Sequence, residues 1–186
     1  WWIVCGFNLY RYNAATKKIK RYYFEDLSVT NLHISESGAV WIACNNGYLK
    51  KYNKDSDQFS DYNIAILSGR QTDFQIQDVY DVNDSTIMVG TMRRVLLINT
   101  RTLAAKDIFK PYRYAGDIQV HDIIKVSGGE CWLGTETGIY IYQLSSGQLQ
   151  HIQKQAGNPY ALTDNVVTAF CKDREGGLWV GTFFGG

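Results

Sequence analysis

A dominant charge is missing from this chain. Its 186 residues carry 19 basic and 18 acidic side chains, for a net charge of +1. No strong global field favours nucleic acid or an anionic membrane as a partner. Long hydrophobic runs are missing too. No stretch approaches the about 20 apolar residues that span a bilayer, so direct membrane insertion by this segment is not expected. Cysteine is sparse, with Cys5, Cys44, Cys131 and Cys171. There is no CxxC pair and no Cys/His ligand spacing, and His33, His121 and His151 are dispersed. A glycine-rich phosphate loop with its lysine is absent. Neither a metal nor another cofactor is expected. Proline is reduced to Pro111 and Pro159, and no helical period persists anywhere.

What is present is a repeat. Trp2-Ile3-Val4-Cys5, Trp41-Ile42-Ala43-Cys44, Met88-Val89-Gly90-Thr91, Trp132-Leu133-Gly134-Thr135 and Trp179-Val180-Gly181-Thr182 follow one another at 39, 47, 44 and 47 residues. A period in the low-to-middle forties is the length of one four-stranded propeller blade. Cys5 and Cys44 occupy equivalent places. Neighbouring sheets lie about 10 Å apart, beyond the about 7 Å that a disulfide bridges, and four small buried thiols are expected.

Each unit reads as four short strands. First strands fall near 29–35, 76–82, 120–126 and 166–172 and are rich in Val, Ile and Thr. Polar turns such as Asn83-Asp84-Ser85 and Ser127-Gly128-Gly129 follow them. The Trp-centred strand comes second. The third alternates, as in Ile139-Tyr140-Ile141-Tyr142, and the fourth is amphipathic and Tyr-rich. Both prolines fall between a fourth strand and the next first strand, where the chain crosses from outside to inside. Lys17-Lys18-Ile19-Lys20-Arg21 suits an outer edge protected by cations. The expected fold is all-β: a β-propeller fragment of four-stranded antiparallel blades, about four of them, with truncated ends. Its divisions are 1–28 (an incomplete blade), 29–75, 76–119 and 120–165 (whole blades) and 166–186 (the first half of another). Closed propellers have about four to eight blades. This arc is expected to continue in a longer chain, or to self-associate through its truncated blade edges. No signal peptide opens it, since Trp1-Trp2-Ile3-Val4 already stands inside a repeat, and that absence says nothing of compartment.

The phrase Asn158-Pro159-Tyr160-Ala161-Leu162-Thr163-Asp164-Asn165-Val166-Val167-Thr168, with Asp173-Arg174-Glu175-Gly176-Gly177-Leu178-Trp179-Val180-Gly181-Thr182 after it, closely resembles the two-component regulator propeller repeat. Trp132-Leu133-Gly134-Thr135-Glu136-Thr137-Gly138-Ile139-Tyr140 is similar to its second half. The unit at Met88 departs most, with Met for Trp and Arg93-Arg94 in place of the usual loop. The resemblance implies the periplasmic sensor domain of a hybrid two-component sensor histidine kinase and response regulator of polysaccharide-degrading bacteria. It also implies paired large propellers, followed by a β-sandwich linker, a membrane helix and cytoplasmic kinase and regulator modules. The rest of that receptor chain would be the partner.

Trp2, Trp41, Met88, Trp132 and Trp179 are read as the bulky residue that fills the space between adjacent sheets, in preference to sugar-stacking platforms. Gly134 and Gly181 are read as sites of close sheet approach. His121, beside Asp122, begins a first strand near the channel; a metal or acid–base role competes there with an ordinary strand histidine. The pairs Asp55/Asp57 and Asp173/Glu175 lie in tight turns, whereas a glycosidase needs two carboxyl groups facing one bond. Turn chemistry is the expected role of both pairs.

The candidate site is a set of loops expected on one face: Arg70 and Asp73, Arg93 and Arg94, Tyr112, Arg113 and Tyr114, Glu136, Asn158 and Tyr160, and Phe183 and Phe184. Aromatic, Arg and Asn side chains on a rigid scaffold suit a polar ligand with an apolar face, such as a sugar ring. Sensing of an oligosaccharide-type ligand, with transmission to a kinase outside this chain, is the leading function. The alternative is a structural or interaction propeller that contacts a domain or subunit without binding ligand. No nucleophile–base constellation points to an enzyme.

Overall fold

The computed structural model describes residues 1–25, 27–35, 38–68, 75–112, 118–126 and 128–185, with Ser68 described in its backbone only. The chain divides into two compact units, Trp1–Ile76 and Gln77–Gly186. In the first, β1 (Trp2–Cys5), β2 (Asn8–Asn13) and β3 (Lys18–Tyr22) form a three-stranded sheet. β4 (Val29–Ile34), β5 (Val40–Cys44), β6 (Tyr48–Asn53) and β7 (Gln58–Asn63) form a four-stranded one. The second unit holds a sheet of β8 (Ile76–Asn83), β9 (Thr86–Thr91), β10 (Val95–Asn99) and β11 (Ala105–Asp107), and a sheet of β12 (Val120–Val126), β13 (Glu130–Thr135), β14 (Gly138–Gln143) and β15 (Leu149–Ile152). A two-stranded sheet of β16 (Val167–Lys172) and β17 (Leu178–Thr182) completes it. Every strand pairs with its neighbour in sequence, as successive hairpins of a propeller blade do.

The turns repeat as faithfully as the strands. Ahead of the last strand of three sheets an asparagine closes the turn with its own side chain. Asn13 Oδ1 accepts from the amides of Ala15 and Thr16, Asn53 Oδ1 from Asp55 and Ser56, and Asn99 Oδ1 from Arg101 and Thr102. Four residues past each asparagine the backbone turns left-handed, at Lys17, Asp57 and Leu103 (φ 55°, 52° and 61°). The fourth such turn uses Gly147 (φ 72°), the residue best suited to that geometry. The first strands share a bulge, with register shifts at Val29/Asn31, Val120/Asp122 and Val167/Ala169.

Sheets stack because one residue of the second strand is small. A methyl group built on Gly90 would lie 2.7 Å from Cγ1 of Val120, and one on Gly134 would lie 3.0 Å from Cγ1 of Val167. β12 thus presses on β9, and β16 on β13. The bulky residue two places earlier occupies the same junctions. Met88 is fully buried among Ile123, Cys131 and Tyr140, Trp132 packs edge-on to Phe170, and Trp2 packs against Tyr52 and Phe59. Trp41 is buried beside Tyr62.

One short element is added and two expectations are corrected. A short helix, α1 (Ile64–Ser68), follows β7; its five residues are too few to show a 3.6-residue period, and Asn63 Oδ1 accepts from its Ile66 amide. Cys44 and Cys131 are buried, but Cys5 and Cys171 are exposed. Trp179 is 67% exposed rather than wedged between sheets, because β17 pairs only with β16 and no described strand covers its outer face.

Candidate functional site

At the end of the second unit where β8, β12 and β16 begin, the antiparallel order also places the turns that leave β9, β13 and β17. A threonine after the small residue builds two of these turns. Thr91 Oγ1 accepts from the amides of Arg93 and Arg94 at 3.3 and 3.0 Å and donates to the Arg94 carbonyl. Thr135 Oγ1 accepts from the Thr137 amide at 3.1 Å and donates to the Gly138 carbonyl at 2.8 Å. The Met92 carbonyl accepts from Ile118 and Gln119, which ties the incoming loop to the same turn. Arg93 is thereby exposed and Arg94 half-buried on a braced backbone.

In the next sheet Glu136 Oε1 meets His121 Nε2 at 2.8 Å, with the histidine side chain 22% exposed and the glutamate 39%. In the last sheet Phe183 donates its amide to the Val166 carbonyl, and Phe184 donates to Asp164 Oδ2. Their rings meet edge to face and are exposed. Arg93, Arg94, His121, Glu136, Phe183 and Phe184 therefore share one end of this unit.

The other candidates lie apart. The Tyr112 hydroxyl donates to the Gly147 carbonyl and accepts from the Leu149 amide, in the β14–β15 turn at the opposite end of that sheet from Glu136. Sequence grouping placed Tyr112 on the same face; its hydroxyl bonds put it at the other end instead. Asn158 closes its own loop by bonding to Gln155 and to the Tyr160 amide, and the Tyr160 side chain is 96% exposed. Arg70, Asp73, Arg113 and Tyr114 lie outside the described residues.

Several polar residues outside the candidate loops carry the electrostatics of the fold. In the first unit Asp57 is a hub. It accepts from Lys20 Nζ at 2.5 Å, Tyr22 OH at 2.6 Å and Tyr52 OH at 2.8 Å, with Arg11 at 3.6 Å. The Lys20 bond, then those of the two tyrosines, holds its carboxyl far below the usual carboxylate range. Asp57 thus braces one sheet to the next as well as shaping its turn. Asp173 closes its own turn, accepting from the Gly177 amide and from Trp179 Nε1 at 2.8 Å; the indole bond is the main reason its carboxyl is lowered.

In the second unit two ladders cross the inner strands. Asp78 accepts from the Ile123 amide at 2.8 Å, and Asp122 accepts from the Phe170 amide at 2.6 Å. Lys125 donates to the Val82 carbonyl and Lys172 to the Lys125 carbonyl. The signal for the first ladder was in the sequence. Asp78 and Asp122 stand 44 residues apart, the spacing of Met88 and Trp132. Burial pushes the Cys44 and Cys131 thiols up to about 11, which leaves them un-ionised and inert near neutrality.

Residues 161–184 match the family model for the two component regulator propeller. No curated protein matches the chain by sequence. Among solved structures, an extracellular domain of a hybrid two-component system from B. thetaiotaomicron is 19% identical with a TM-score of 0.79, covering 97% of this chain and 24% of that one. A second such domain from the same organism is 16% identical with a TM-score of 0.56, covering 100% of this chain and 31% of that one. PorZ, a surface component of the type-IX secretion system of Porphyromonas gingivalis, is 15% identical with a TM-score of 0.71, covering 99% of this chain and 29% of that one. The chain thus has a propeller-blade fold and spans about a quarter to a third of the length of these neighbours. No helix among the described residues is long and apolar enough to cross a membrane.

Proposed function

We propose that this chain is part of the extracytoplasmic sensor of a hybrid two-component system, placed in the periplasm, that contributes to recognition of an oligosaccharide-type ligand and biases a kinase module elsewhere in the receptor. The observation that carries this reading is the two component regulator propeller match at residues 161–184. Extracellular domains of such systems are also among the structures that share the fold. The ligand surface is the end of the second unit that bears Arg93, Arg94, His121, Glu136, Phe183 and Phe184. Backbone hydrogen bonds hold these turns before any ligand arrives, which lowers the ordering cost of binding. Guanidinium and carboxylate groups supply hydrogen bonds to hydroxyls, and the two rings supply an apolar face. To signal, a ligand must favour one of two receptor conformations. The reading assigns no catalytic step to these residues.

A panel of neutral and acidic oligosaccharides tests the surface. At least one is expected to raise the melting temperature of the chain, and Arg94→Ala and Glu136→Gln are each expected to shrink that rise. A panel that shifts nothing, or a shift unchanged in both variants, removes the assignment.

A second reading, an interaction propeller that contacts a domain or a second copy, is favoured by the 67% exposed Trp179 on a strand with one neighbour. Light scattering over a concentration series separates the two. A mass that grows with concentration and falls on Trp179→Lys supports assembly.

A further inference from the structure

The first sheet has one face that the ligand reading does not use. Successive residues of a strand point to opposite faces. On one face Trp2, Val4, Leu9 and Tyr22 join the core shared with β4–β7. On the other, the register sets out two rows, Ile3–Tyr10–Arg21 and Trp1–Tyr12–Ile19. Trp1 is 80% exposed and Ile19 66%. Ile3 is exposed too, and Tyr10 and Tyr12 are half-buried. Arg21 donates to Asn8 on this face, which carries no carboxylate among the described residues. A contiguous apolar and aromatic surface of this kind marks a contact site.

The same surface is buried elsewhere in the chain, and its cover there shows what fits it. In the sheet of β12–β15 the matching rows are Leu133–Tyr140–His151 and Cys131–Tyr142–Leu149. Cys131, Leu133, Tyr140 and Tyr142 are buried in one cluster with Met88 of the sheet before. In the sheet of β4–β7 the row is Tyr52–Phe59. Trp2 of the sheet before packs on both rings, with centroids 4.7 and 6.3 Å away. The bulky residue of the repeat is thus a knob, and the tyrosine row of the next sheet is its seat. Tyr12–Ile19 is a seat that holds no knob among the described residues. Trp179 is a knob without a seat. Cys171 and Ala169 share its face and are exposed, and the atoms nearest a methyl group built on Gly181 belong to its own sheet.

We infer that the occupant of this face is a second copy of the chain, with Trp179 of one copy seated on the Tyr12–Ile19 row of the next. This rests on the interaction reading of Trp179 and names the surface that Trp179 meets. Charge favours the same pairing. The turn between β2 and β3, at the foot of the row, brings Lys17 and Lys18 and no acid. The turn before Trp179 brings Asp173 and Glu175 against Arg174 alone. In the antiparallel order of the repeat both turns fall at the same end of their sheets. Seating Trp179 as Trp2 is seated therefore carries the two carboxylates to the end that holds the lysines. Knob and seat are different surfaces, so the contact is heterologous, and copies add head to tail rather than pairing once.

Light scattering on the whole chain, with two variants measured alone and mixed, tests the contact. The wild-type mass is expected to grow with concentration. Tyr12→Lys removes the seat and Trp179→Lys removes the knob, and each alone is expected to stay at the mass of one chain. Each variant keeps the half that the other lacks. Their equimolar mixture is therefore expected to reach the mass of two chains and to stop there. A mixture that stays at one chain overturns the inference, because a symmetric contact through either surface gives that result. Growth lost in Trp179→Lys but kept in Tyr12→Lys overturns it too, while leaving the interaction reading in place. A wild type that stays at one chain at every concentration also overturns it and leaves the aromatic face to a different protein. If circular dichroism shows that Tyr12→Lys does not fold, Ile19→Lys, at the exposed end of the row, takes its place with the same expected outcomes.

Discussion

Three glycines at one position of the repeat sit in three different surroundings, and their side-chain space ranks what a methyl group would do. At Gly90 it meets Val120 at 2.7 Å and Ile123 at 3.2 Å; at Gly134 the nearest atoms are 3.0 and 3.1 Å away; at Gly181 nothing lies nearer than 3.6 Å. Gly90→Ala is expected to destabilise by about 1–3 kcal/mol through overpacking, and Gly134→Ala by less. Gly181→Ala is expected to be neutral or slightly stabilising, because alanine restricts the unfolded chain. Urea midpoints of the three variants check the order, and equal values would show that sheet contact is not what selects glycine here. Asp57 gives the pH counterpart in the first unit. Its folded carboxyl is depressed below the ordinary 3.8, so its contribution is present above that value and is lost as pH falls through the depressed one. Asp57→Asn is expected to melt below the wild type near neutrality, with the gap closing in acid. A gap that persists in acid would assign the loss to shape rather than charge.

Turns and strands differ in how openly the sequence declares them. The strands were legible because apolar residues alternate and because the Trp-centred phrase returns every 39 to 47 residues. The turns were legible as polar clusters, but not their left-handed residue, since lysine, aspartate and leucine stand where glycine is the usual signal. Leu103 shows the consequence. It holds φ at 61° with its side chain 47% exposed, so it accepts left-handed strain with little burial in return. Leu103→Gly is expected to stabilise by about 0.5–1 kcal/mol, relief of the left-handed penalty outweighing the added chain entropy. A lower urea midpoint would show that Leu103 is held by contacts rather than by its turn. The helix after β7 and the exposure of Cys5 and Cys171 were illegible for a common reason. Both depend on which neighbours a short segment meets, and a five-residue segment carries no period that reports it. Tyr112 escaped for a related reason. Its loop was assigned to a face by its place between strands, whereas its hydroxyl bonds place it at the far end of the sheet.

Within each unit a sheet is tied chiefly to its neighbours, and repeat proteins held this way behave as nearly one-dimensional arrays. In the second unit the ties are countable: a small residue under a valine, a carboxylate receiving an amide from the next sheet, and a lysine reaching back to the sheet before. In the first unit the Asp57 hub joins β2 and β3 to the sheet of β6 and β7. Damage to one tie should therefore travel along the array rather than melt it uniformly. Asp122→Ala leaves the Phe170 amide without its acceptor within β16. Hydrogen exchange is expected to quicken at Phe170 and along β16 and β17, and more weakly in β12. The amides of β5 and β6, in the first unit, are expected to keep their wild-type rates. If exchange quickens equally in every strand, the chain unfolds as one cooperative body and the junctions are not separable. A local response would also bear on signalling. A ligand at the Arg93, Arg94 and Glu136 end that favours one arrangement of neighbouring sheets could pass that bias along the same ties without disturbing the rest of the chain.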